Sequence, residues 1–451
     1  MNYIRRNQPI ITVLLLCLAI RIIYREYSPD AVVTPDSFGY YDIGRKMLSE
    51  SFWPNFVNDH RTPLYPLFLN VLMAASGNIG AAVGSAQFMK GATFITIVQS
   101  VIALTGLYLL YKTALILKIE KRYASLFTLF ISLNHLLFAW EGVLLTESLV
   151  IFWIILTTYI LLIALKKIGS SVMVILLLLF IAGFLLKPAY LAFPLVTLPI
   201  IAFTHQKKGI LMPIVVSLLL FLAVPFAYIK GNEALHNYSG VNHITDINLM
   251  GRILQYNLPV EAGRDVTFFY GAVRDYRAIG GDPMPYRFLE YYDPQIYDKP
   301  ERLNDLQRFT RAVVLDNLPR FITLGVAEIP KRMLEPNDLI AENPEAPFLL
   351  TLFNGLRSFY TAAQYLTLLV LPLFFLVLFR FFRKPSFPTA ATMIIGVIAL
   401  YQIIVSVFFG YSEFGRLISV VQPQLYLFLL LQLPPNNRDI TARINRFGRN
   451  L

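Results

Sequence analysis

Cysteine is almost absent from this chain: 451 residues contain one, Cys17. No intramolecular disulfide can form, and no cysteine-based metal site exists. Charge is also scarce. Only 15% of the residues are Asp, Glu, Lys or Arg and 56% are hydrophobic, whereas a soluble domain carries about a quarter charged residues. No Gly-rich nucleotide-binding loop is present, and the five histidines show no HExxH or other tight metal spacing. No internal repeat or low-complexity tract appears. The apolar run behind Arg5 and Arg6 lacks a small-x-small cleavage pattern, so it reads as a retained signal anchor.

What is present is a succession of apolar runs. They fall near 8–24, 91–117, 122–140, 148–165, 172–186, 188–204, 209–229, 354–379, 388–409 and 416–433. Several reach or approach the roughly 20 residues that cross a bilayer as a helix. The pattern predicts an all-α polytopic membrane protein with about ten transmembrane helices.

Charge then sets the orientation. With the N-terminus in the cytoplasm, the cytoplasmic segments hold 17 basic residues against two acidic ones, Glu120 and Asp439. Everything else holds 22 basic against 26 acidic. This asymmetry obeys the positive-inside rule. It accounts for the net charge of +11 without a nucleic-acid partner. A crossing at 63–77 would invert the asymmetry, so this short apolar stretch is predicted to lie in the outer interface, with Pro63 in its first turn.

The chain therefore divides into three parts. Residues 1–229 form an N-terminal transmembrane module whose first outer loop, 25–90, is built of interfacial helices. Residues 230–350 form an extracytoplasmic loop domain, with helix spacing through Leu303, Leu306, Phe309 and Val313 and a break at Asn317-Leu318-Pro319. Residues 351–451 hold the C-terminal membrane helices and a basic cytoplasmic tail.

Chemistry-bearing residues gather on the outer side. Asp36 follows the first membrane helix, where it reads either as a base or as a cap for a helix starting near Phe38. Glu147 stands where the third helix meets the fourth, and a carboxylate between two apolar runs is costly without a partner. Glu141 competes for its role. Arg61, Lys187 and Arg416 lie at outer ends of membrane segments. Singly each reads as a surface charge; together they could neutralise a phosphate. His60, His236 and His243 are also outside. The aromatics of 268–297, Tyr286 among them, read as core or as sugar-stacking faces.

Several motifs occur in a fixed order on one side of the membrane: Pro35-Asp36-Ser37-Phe38-Gly39-Tyr40-Tyr41, Arg61-Thr62-Pro63-Leu64-Tyr65-Pro66, Thr146-Glu147, Lys187-Pro188-Ala189-Tyr190 and Gly415-Arg416-Leu417. Together they resemble the GT-C glycosyltransferases. The closest likeness is to the protein-mannosyltransferase and aminoarabinose-transferase type, glycosyltransferase family 39 and its neighbours. The resemblance covers the first 200 residues and, more loosely, the last helix. It implies transfer of a hexose or pentose from a polyprenyl-phosphate donor to a protein, glycan or lipid acceptor outside the cytoplasm of a bacterial cell, with inversion. Asp36 then matches the catalytic base and Glu147 the second acid, where many relatives carry Asp. Tyr40, Tyr41, Arg61, Lys187, Tyr190 and Arg416 become substrate-binding candidates. A divalent cation is left open, because members of the superfamily differ in metal use. Two other classes compete. A lipid-linked glycan polymerase or ligase would depend on the later outer loop, for example on Arg264. A transporter would be expected to show inverted repeats and midplane charges.

Overall fold

The computed structural model describes residues 2–205, 208–260, 267–336 and 346–433. The basic tail and Arg264 lie outside the described residues. Among those described, helices dominate and the one β pairing is an isolated parallel bridge between Val32 and Val143. Six helices are long and apolar enough to cross a bilayer: Ala86–Ile116, Glu147–Lys166, Pro188–His205, Leu211–His236, Pro347–Arg383 and Phe387–Phe409. Lys121–Ser132 and His135–Gly142 pass the same test as one span bent by 57°. Leu64–Ala75 and Ser170–Leu186 are apolar but shorter. The chain is a multi-pass, all-α membrane protein.

Three of the predicted runs are broken rather than continuous. The run at 122–140 bends because Asn134 leaves the helix. Its Oδ1 accepts from the Leu136 N–H (3.1 Å), and its Nδ2 donates to Gln422 Oε1 (2.6 Å). Such a side chain competes with the backbone ladder. The run at 354–379 passes from Pro347–Gln364 through a 3-10 turn, Tyr365–Leu369, into Val370–Arg383. The run at 416–433 divides into Phe414–Ser419 and Gln422–Gln432, the second opening with Pro423 in its first turn, where a missing N–H costs nothing.

The polar segments between the membrane helices follow from simpler rules. Helix Pro300–Asp316 buries Leu303, Leu306, Phe309 and Val313, the four positions whose spacing predicted it. These side chains belong to a hydrophobic cluster running from Tyr238 to Phe321, separate from the main cluster among the membrane helices. The segment predicted as the first outer loop holds three helices, Pro35–Ser49, Phe52–Phe56 and Leu64–Ala75. Pro63 stands just before the last of these, at its cap. The first and third cross closely at Gly44, where a Cβ would lie 2.2 Å from both the Pro66 carbonyl oxygen and Asn70 Nδ2.

Histidines tie the two outer segments together. His236 Nε2 lies 2.9 Å from the Pro54 carbonyl and 2.7 Å from that of Val57. His60 Nδ1 and His243 Nε2 are 2.9 Å apart, and the His243 N–H donates to the Asp59 carbonyl at 2.9 Å. Residues predicted as outer-face histidines thus position the first loop against the later one.

Candidate active site

The Asp36 helix begins earlier than the sequence predicted. Pro35 takes its first turn and Thr34 its cap. Ser37 Oγ accepts from the Thr34 N–H at 2.9 Å and donates to the Leu144 carbonyl at 2.8 Å. The capping role considered for Asp36 therefore falls to Thr34 and Ser37, and the Asp36 carboxylate is left to face other groups. Ser37 also anchors this helix to the segment leading into Glu147. Two backbone bonds reinforce the join: Val32 N–H to the Gly142 carbonyl (2.9 Å) and Leu144 N–H to the Val32 carbonyl (3.0 Å).

Two acids and three cations meet here. Arg61 Nη2 donates to Asp36 Oδ1 at 2.7 Å, and its guanidinium covers the Tyr40 ring at 4.8 Å. Arg416 Nη1 lies 3.7 Å from Asp36 Oδ2, and Arg416 Nε lies 3.5 Å from Glu147 Oε1. Lys187 Nζ stands 3.6 Å from the same Glu147 oxygen. The side chain of Glu147 is 2% exposed and that of Asp36 is 36%. Two cations thus stand beside a nearly dry carboxylate that would otherwise be prohibitively costly. The contacts of Arg416 and Lys187 to the two acids exceed hydrogen-bond range. Arg61 Nε and Arg416 Nε are buried and hydrogen-bond to nothing in the protein. These cations keep donor capacity for an anion.

Burial alone would raise the Asp36 pKa; the charges of Arg61 and Arg416 outweigh it and hold the carboxyl below its ordinary value. His60, buried and close to the positive charge of Arg61, is pushed down to about 3. It stays neutral at physiological pH and adds no cation.

The remaining candidates are placed less directly. Tyr40 forms the floor under Arg61. Tyr41 is turned aside: its hydroxyl donates to the Ala81 carbonyl at 3.0 Å and its ring meets Phe88 edge-on. Tyr190 is buried against Trp153 and Phe193, with its hydroxyl unpartnered. Glu141 belongs to another group, paired with Arg21 at 2.6 Å. One residue received no role from the sequence. Glu413 Oε2 lies 3.1 Å from Arg416 Nη2. Tyr286, one of the aromatics read as core or as sugar-stacking faces, lies within electrostatic reach of Arg61, Asp36, Arg416 and Glu413. The arginine three residues beyond Glu413 was the available signal for it; nothing local separates Tyr286 from its aromatic neighbours.

A divalent cation does not fit this donor set. Among the described residues no three His, Cys, Asp or Glu side chains gather as a metal-holding group. Each acid of the cluster already faces arginine or lysine, and those cations would repel an ion. No protein-family model matches the chain, and no curated protein matches it.

Proposed function

We propose that this chain is an integral-membrane glycosyltransferase of the GT-C type. It moves a sugar from a polyprenyl-phosphate donor to an acceptor hydroxyl on the extracytoplasmic side. The observation that carries the reading is the cluster itself: a part-exposed carboxylate beside three cations whose donor groups are incompletely used. An anion held by Arg61, Arg416 and Lys187 would lie beside Asp36, which suits a phosphate leaving group next to a base.

The chemistry balances with one carboxylate. The acceptor oxygen attacks the anomeric carbon, its proton passes to Asp36, and the carbon–oxygen bond to phosphate breaks with its electron pair on the phosphate. The leaving phosphate needs no proton, so the second acid of a glycosidase is not required. Direct displacement inverts the anomeric centre. Asp36 is held ionised by the same arginines that would bind the donor. As phosphate draws those arginines away, the restraint on Asp36 relaxes and its basicity rises where the donor is bound. Glu147 acts by holding Lys187 and Arg416 in place.

The proposed topology has ten spans. To the six helices above it adds Asn2–Tyr27, the bent pair, Ser170–Leu186 and the broken pair Phe414–Ser419 with Gln422–Gln432. Both termini are cytoplasmic in a bacterial plasma membrane, and the site faces outward among membrane lipids.

The test is Asp36→Asn in the full-length chain. The variant should insert and fold normally, while transfer from polyprenyl-phosphate sugars extracted from the host membrane falls by about 10²–10⁴-fold. Mass spectrometry of glycans, proteins and lipids from cells with and without the gene identifies the acceptor. Undiminished transfer by the variant removes Asp36 from the mechanism. Substrate accumulation in vesicles without covalent transfer replaces the reading with transport.

A further inference from the structure

Arg416 is crowded by acids. Its guanidinium faces Asp36 at 3.7 Å, Glu147 at 3.5 Å and Glu413 at 3.1 Å. The closest of the three, Glu413, is also the most exposed, at 48% of its side chain against 36% and 2%. Three cations, Arg61, Lys187 and Arg416, thus meet three carboxylates, and the group is neutral as it stands. A phosphate entering it would leave an uncompensated negative charge in a poorly hydrated site.

The backbone around Glu413 is held in place from outside. Ser412 and Glu413 have successive positive φ angles of 59° and 50°, a conformation that L side chains other than Asn and Asp seldom adopt. Such geometry persists only where the surroundings impose it. Here Arg252 Nε donates to the Gly410 carbonyl at 3.0 Å, and Glu335 Oε1 accepts from the Phe414 N–H at 3.0 Å. Both clamps come from the outer loop segment, and between them they hold the residue whose carboxylate lies on Arg416.

We propose that Glu413 is an internal stand-in for the substrate phosphate, its carboxylate standing 3.1 Å from Nη2 of Arg416 until a phosphate displaces it. The exchange trades one anion for another, so the cluster stays neutral as the donor binds. Glu413 then sets donor affinity: it competes with the ligand and keeps the arginine ordered when no ligand is bound. This inference rests on reading the cluster as a phosphate site.

The experiment compares the purified full-length chain with Glu413→Gln and Glu413→Asp by calorimetric titration with farnesyl phosphate and, separately, with inorganic phosphate. Glu413→Gln should bind farnesyl phosphate about three- to tenfold more tightly, since a neutral amide competes less for a charge-assisted bond. Glu413→Asp, which keeps the charge, should bind like the parent. Unchanged or weaker binding by Glu413→Gln, or equal tightening in Glu413→Asp, overturns the proposal. Equal tightening of inorganic phosphate and farnesyl phosphate supports the exchange but removes the lipid donor from the proposed function. Binding of neither probe to any of the three proteins overturns both.

Discussion

Two of the buried charge groups among the described residues differ in how their donors are used. In the Arg21–Glu141 pair almost every donor has an acceptor. Arg21 Nε lies 3.1 and 2.8 Å from the two Glu141 oxygens, and Nη2 lies 2.6 Å from Oε1. Nη1 donates to the Cys17 carbonyl at 3.1 Å and to Ser132 Oγ at 2.9 Å. Both side chains are 7% exposed. This bidentate, saturated arrangement holds helices together and leaves nothing for a ligand. The cluster around Arg416 has the opposite character. Its contacts to Asp36 and Glu147 are long, buried N–H groups lack acceptors, and two acids, Asp36 and Glu413, open to solvent. A saturated pair reads as structure, and an unsaturated one as a site awaiting an anion.

The comparison breaks most sharply at its two arginines. Beyond the loss proposed for Asp36→Asn, the largest effect falls on Arg416→Gln. Removing a cation from a developing phosphate charge should lower kcat by about 10²–10³-fold, with insertion and folding retained. Arg416→Lys should recover only part of that loss, because a point charge does not reproduce the planar fork. A transfer assay at saturating donor measures both. Equal kcat in parent and Arg416→Gln would move the leaving-group role elsewhere.

Arg21→Met should act on stability instead. Stranding Glu141 without its partner costs about 3–5 kcal/mol, read as a lower midpoint of thermal unfolding in detergent. Adding Glu141→Leu should restore much of it, since replacing both members of a buried pair is often neutral. Turnover per folded molecule should match the parent in the double variant. The equivalent double replacement, Arg416→Met with Glu147→Leu, should fold and remain inactive. If that variant turned over while the Arg21 double variant did not, the two groups would exchange roles.

How much of this was legible in the sequence depends on the range of the interaction. Periodicity and charge placed Asp36, Arg61, Glu147, Lys187 and Arg416 on one side, because hydropathy and Lys/Arg bias are local signals that need no partner. Their meeting depends on Ser37 reaching Leu144 and on Val32 pairing with Val143, contacts across more than a hundred residues that leave no spacing to read. The choice between Glu141 and Glu147 was undecidable for the same reason: each lies beside the same helix break, and only the partner differs. Arg21 did carry a signal. A single arginine inside an apolar run demands a counter-charge, but spacing does not say which acid supplies it. The helix break at Asn134 was hidden because asparagine in an apolar run is read as a polar interruption, not as a cap with a partner at Gln422.

The smallest expected effect tests whether Asp36 is tuned by its neighbours. Asp36 must be ionised to accept a proton, so activity falls as pH drops through its pKa. Burial pushes that pKa up, and Arg61 and Arg416 together bring it below the ordinary carboxylate value. In the parent the acid limb of the kcat/KM profile therefore lies at unusually low pH, since this parameter reports the free enzyme. Arg61→Gln removes the nearer cation but leaves Arg416, and the limb should move to higher pH. His60 is the competing titration: burial and the nearby Arg61 charge hold it near 3, and losing Arg61 would raise it toward its ordinary value from that low start. The separation is made with Asp36→Glu and with His60→Gln in the Arg61→Gln background. A limb that persists without His60 and shifts with the Asp36 substitution belongs to the carboxylate. A limb that follows His60 would assign the base to the imidazole and leave Asp36 as the group that orients Arg61.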